Sequence, residues 1–140
     1  MNNNGIIGIV ALLNLIVFAS GCQDLVEEHK VVGRYFLVAT DTEDQMSLGY
    51  QTFNGGYLGI VDETVFAAGV ADSFIVVKQH PHNHRDTTHF FIVRIYPDSA
   101  ENYWPEAGLI GPLSRKEFEV QCAAKGIANP VFTMTIENLQ

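Results

Sequence analysis

From residue 31 to residue 96 the chain is a series of apolar runs of strand length, each broken by Gly, Asn or Asp before a helix can complete itself. Runs at 31–40, 46–52, 57–61, 65–70, 74–79 and 89–96 read as strands, and the last two are rich in β-branched and aromatic side chains, which suit a pleated surface. Asn54-Gly55-Gly56 and Asp72-Ser73 mark turns, because Gly and Asn tolerate the positive φ that tight connections need. The clearest pair is 74–79 with 89–96, joined by a polar loop. No crossover helix lies between the early runs, so sequential antiparallel hairpins are favoured over parallel pairing.

One strong helix follows. Ser114 is expected as its N-cap with Glu117 three residues on, a capping box, and Leu113 and Phe118 occupy the positions of a hydrophobic staple. The helix is expected to stop at Gly126, in a left-handed cap followed by apolar Ile127, and Pro130 forbids its continuation. Residues 131–136 can add a last strand. The order predicts an α+β fold, a mostly antiparallel β-sheet of about six short strands packed on one C-terminal helix, with a small β-barrel or sandwich as the rival.

Residues 5–19 form an uncharged apolar run, too short for a comfortable membrane span (~20 residues) but matching the hydrophobic region of an export signal. It ends in Ala19-Ser20-Gly21-Cys22. Small residues ahead of a cysteine are what lipoprotein processing requires, so Cys22 is the candidate lipidation site. The position three before it is Ala19, where Leu is commonest, and Met1-Asn2-Asn3-Asn4 carries no Lys or Arg. The expected organisation is a lipoprotein signal peptide at 1–21, a lipidated tether at 22–30 and a single α+β domain at 31–140. Two or three acyl chains on one residue anchor stably where a single chain is marginal. The expected location is therefore a bacterial membrane, through lipid, with inner and outer membrane left open.

The chain has 140 residues and a formal net charge of −8, none of it in the first 21 residues. An acidic surface repels phosphate backbones, so no nucleic-acid partner is expected. If Cys22 carries lipid, Cys122 has no disulfide partner, and its place in the helix reads as a buried small hydrophobe.

Four of the five histidines fall in residues 79–89. In an extended loop His80, His82 and His84 point one way, since the side-chain period is two, and His89 can face them across the hairpin. Neutral imidazoles so placed can bind Zn²⁺, Ni²⁺ or Cu²⁺, with Asp86 as a further ligand or supporting partner. Against this, Pro81, Asn83 and Asp86 are turn formers, and Arg85 disfavours a dication beside it. The acidic turns at Asp41, Glu43 and Asp44 and at Asp62 and Glu63 lack the dense oxygen pattern of a calcium loop. No Gly-x-Ser-x-Gly nucleophile elbow is present. Tyr103-Trp104-Pro105 is an aromatic loop, read as the rim of core packing ahead of a contact surface.

The apolar run and Cys22, then Tyr35-Phe36-Leu37, Ser73-Phe74-Ile75-Val76-Val77-Lys78-Gln79, Phe90-Phe91-Ile92-Val93 and Gly111-Pro112-Leu113-Ser114 with Glu117-Phe118, resemble a family of small uncharacterised bacterial lipoproteins, a domain of unknown function. The resemblance implies no activity, cofactor or catalytic residue. The expectation is a non-enzymatic binding or accessory module of the cell envelope with an envelope protein as possible partner. The alternative is a metal-binding lipoprotein using His80, His82, His84 and His89.

Overall fold

The computed structural model describes residues 25–98 and 105–140, so Cys22 and the Tyr103-Trp104 pair lie outside the described residues. The strands are β1 (Glu27–Val32), β2 (Tyr35–Ala39), β3 (Ser47–Gln51), β4 (Tyr57–Val61), β5 (Val65–Ala71), β6 (Phe74–Gln79), β7 (His89–Arg94), β8 (Leu109–Leu113) and β9 (Met134–Thr135). One helix, α1 (Arg115–Ala124), lies between the last two. The strands form two antiparallel sheets, in the orders β1-β2-β3-β4 and β8-β7-β6-β5-β9. The α+β, mostly antiparallel reading holds. The single sheet of about six strands is replaced by two sheets, and no barrel closes.

The second sheet is the middle of three layers. Alternation along β6 sends Ile75 and Val77 to one face and Val76 to the other. Along β7 it sends Phe91 and Val93 one way, Phe90 and Ile92 the other. The first set meets Tyr35, Leu37, Leu48 and Tyr50 of the first sheet in the main core. The second set meets Phe118, Cys122 and Ile127 from α1 and the turn after it. Strands buried on both faces need apolar residues at every position, which explains the unbroken Phe-Ile-Val-Val and Phe-Phe-Ile-Val runs.

Three strand expectations change. Residues 27–30, expected as tether, belong to β1, whose Glu27 to Lys30 pair with Ala39 to Phe36 of β2. Residues 31–40 are not one strand: the chain reverses at Gly33-Arg34, and Val32 faces Tyr35 across a two-residue turn. Residues 109–113 form an unexpected strand, and its edge position leaves Pro112 no hydrogen bond to withhold from a neighbour on the open side. Tyr57 helps hold β1 in place across the outer face of the first sheet. Its ring lies edge-on to Phe36 at 5.7 Å. Burial and hydrogen bonding to the Glu28 carboxylate push its hydroxyl up to about 12.

The helix signals read correctly at both ends. The Glu117 backbone N–H donates to the Ser114 hydroxyl at 3.3 Å, and the Ser114 N–H donates to the Glu117 carboxylate at 2.8 Å. At the other end the Gly126 N–H donates to the Ala123 carbonyl and the Ile127 N–H to that of Cys122. Gly126 has φ +72, so the pair forms a Schellman cap.

After the cap, residues 128–133 return across the second sheet and only Met134–Thr135 pair with β5. The crossing is close at Gly69, where a Cβ would overlap the Val131 carbonyl oxygen and come within 3.0 Å of the Phe132 Cα. Both obstacles are backbone, so neither can rotate away. Gly69→Ala is expected to lower unfolding free energy by about 1–3 kcal/mol, the usual range for overpacking. Urea denaturation followed by circular dichroism checks it, and an unchanged midpoint would show that the 128–133 segment does not bear on β5 as described.

Candidate functional site

The buried polar residues Thr64, Gln79 and His80 gather at one end of the sheets, where the histidine loop leaves β6. The Gln79 amide donates to the carbonyls of Asp62 at 2.9 Å and Glu63 at 3.3 Å. The Thr64 hydroxyl donates to the Asp44 carbonyl at 2.6 Å. Thr64 and His80 exchange backbone hydrogen bonds of 2.9 and 3.0 Å. The His80 ring stacks on Phe66 at 4.2 Å, and its Nδ1 donates to the Thr87 carbonyl at 2.8 Å. His80 is therefore a core residue rather than a loop ligand.

The rest of the loop does not converge on His80. Pro81–Asn83 form a 3-10 turn in which His82 and Asn83 take positive φ, ending the period of two that extended geometry requires. His82, His84 and Asp86 are exposed, and His89 sits half-buried at the start of β7 opposite Gln79. Among the described residues no group of three or more His, Cys, Asp or Glu is placed to hold a metal ion. Arg85 ties the loop down instead. Its guanidinium donates to Asn83 Oδ1 at 2.7 Å, to the carbonyls of Asn138 and Gln140 at 3.0 and 3.2 Å, and to Asp44 at 3.3 Å. His80→Ala removes a stacked ring and a hydrogen bond and should cost about 2–4 kcal/mol of stability. His84→Ala, at an exposed position, should stay within about 0.5 kcal/mol. Equal losses in paired thermal melts would contradict this division.

A different site lies on the helix side of the second sheet. A cleft of about 370 Å³ opens between α1, β6–β7 and the 129–132 segment. Its floor is aromatic: Phe90 and Phe118 stack at 4.9 Å, and Phe132 stands 6.5 and 6.2 Å from them. Two cations border it. Lys78 Nζ sits 4.3 Å above the Phe132 ring, and the Arg115 guanidinium 5.4 Å from the Phe90 ring. Strand and helix periodicity explain both placements. Lys78 follows Val76 by two and pairs with Phe90, so all three face α1. Arg115 precedes Phe118 by three, on the same side of the helix.

The electrostatics of this cleft run against the rest of the chain. With only eight Lys and Arg and a net charge of −8, two cations share one cleft. Among the described residues neither has a carboxylate within 4.0 Å, although Glu119, one turn along from Arg115, also borders the cleft. Burial, and then the Arg115 charge, hold the Lys78 ammonium below its ordinary value. Cys122, behind this floor, is a buried free thiol pushed up by burial alone, as suits a small hydrophobe.

Fold and cleft together define a three-layer domain of sheet, sheet and helix with a cleft on its helix side bordered by two cations. The chain belongs to the family DUF3997, described as protein of unknown function, whose model matches residues 32–133. No curated protein and no solved structure matches it.

Lys78 should weaken the fold at neutral pH. Its folded-state pKa is lowered, so the unfolded chain holds more proton between that value and the ordinary one near 10.5, and stability rises with pH across the interval. Lys78→Met is therefore expected to raise the melting temperature at pH 7, and the gain should shrink as pH approaches 10.5. A gain that does not change with pH would assign it to packing alone.

Proposed function

We propose that the chain is an exported lipoprotein, cut before Cys22 and held in a bacterial membrane by lipid on that residue, whose domain works in the cell envelope by binding rather than by catalysis. The observation that carries the reading is Ala19-Ser20-Gly21-Cys22 at the end of an uncharged apolar run. No helix among the described residues is long and apolar enough to cross a membrane, so attachment through lipid does not compete with a span there.

The start of β1 at Glu27 gives the proposal a geometric consequence. Five residue steps separate Cys22 from Glu27, and at ~3.5 Å each the chain reaches at most ~18 Å. The domain is thus held close to the bilayer, with the first sheet leading out of the anchor. Support for binding comes from the cleft, where two cations stand over aromatic rings, a chemistry suited to recognition. Cys22→Ser is the test: in cells fed labelled palmitate, the wild-type chain should take up label and lose residues 1–21, and the variant should do neither. A variant processed and membrane-bound like the wild type would overturn the anchor.

A further inference from the structure

We infer that the cleft between α1 and β6–β7 binds a small amphipathic anion, a carboxylate or phosphate ester on an aromatic or short aliphatic body, with its charge held between Lys78 and Arg115. This deepens the reading of the domain as a binding module and rests on it.

Three independent features select that chemistry. The first is size. At about 370 Å³ the cleft falls near the low end of the ~300–1,000 Å³ usual for small-molecule sites. The second is the apolar surface. The half-buried Phe132 ring and Val131, 61% exposed, supply it, above a floor of Phe90 and Phe118 that is almost wholly buried. Offset and edge-on ring contacts hold a flat apolar body at such a place. The third is charge. Lys78 and Arg115 are met by aromatic faces and by no carboxylate within 4.0 Å among the described residues, so their hydrogen-bond donors are available to a ligand. An anion between them would relieve their repulsion and accept from both. Arg supplies a planar fork matched to carboxylate and phosphate, and Lys a point charge.

The site is also built to keep its shape. The backbone at Lys78 is held by its strand pairing, that at Arg115 by the capped first turn of α1, and that at Val131 by its close passage over Gly69. The acidic surface as a whole repels anions at a distance. Binding thus needs the apolar body as well as the charge, and free inorganic anions should be poor ligands. Glu119 is the one bordering carboxylate and should oppose the ligand.

The test is calorimetric titration of the full chain in non-ionic detergent with phenylacetate and phenyl phosphate, against benzyl alcohol, benzylamine and inorganic phosphate. Phenylacetate or phenyl phosphate should bind at least tenfold more tightly than any of the three controls. The tighter of the two identifies the charged group. Lys78→Met/Arg115→Gln should weaken that binding at least tenfold while the melt stays cooperative, and Glu119→Gln should strengthen it. No binding of either anion, equal binding of benzyl alcohol or inorganic phosphate, or affinity unchanged in the double variant would overturn the inference. A chain that is lipidated but binds neither anion loses this inference and keeps its anchor, and a chain that binds but is not lipidated does the reverse.

Discussion

Everything in this domain leans on the burial of β6 and β7 on both faces. A strand with one wet face can satisfy its hydrophobic pattern with alternate residues. These two cannot, because the first sheet covers Ile75, Val77, Phe91 and Val93 while α1 covers Val76, Phe90 and Ile92. The pairing Val76↔Ile92 and Val77↔Phe91 fixes both cores at once. A slip of one residue would exchange the contents of the two cores, and each is filled by side chains of different shape. Register in the middle layer is therefore the constraint that places the outer layers.

The helix and the returning segment depend on that layer in turn. Ten helical residues would be marginal alone, and their stability comes from the buried stripe of Phe118 and Cys122 together with caps worth roughly 1 kcal/mol each. Phe132 then packs against both cores from the far side of Gly69. Covering only part of the helix-side face leaves a hollow where α1 and the segment diverge, and the cleft is that hollow. Its aromatic floor is core that the fold does not quite close.

Much of this was legible in the residues, and the failures have physical causes. The 74–79 and 89–96 hairpin, the capping box at Ser114 and the stop at Gly126 follow from local signals that tertiary packing had no reason to override. β1 was hidden because an edge strand with Glu, Glu, His and Lys at four successive positions carries no hydrophobic alternation. β8 was hidden because Gly111-Pro112 reads as a turn, and only an edge position makes it tolerable in a strand. The doubly apolar runs contained the clue to a middle layer, but runs alone do not say which strands share a sheet. The histidine loop misled because period two presumes extension, while Pro81 and Asn83 turned the chain. The cleft had one visible trace: Lys78 stands in step with Val76, at an inward position of an apolar run.

That trace gives the cleft its significance. A partly buried lysine in step with the core residues of a central strand, beside a second cation and with no carboxylate within 4.0 Å among the described residues, departs from the local preference for paired charge. Such local violations are expected at functional sites, where the rest of the fold supplies the stability that the site gives up. The layers also separate the two ends of the proposed function. The proposed anchor precedes β1, an edge strand of the first sheet, while the cleft lies on the helix side of the second. Were the chain tethered as proposed, the strand the tether enters and the Lys78–Arg115 cleft would belong to different layers, the cleft lying on the face of the second sheet that the first sheet does not cover.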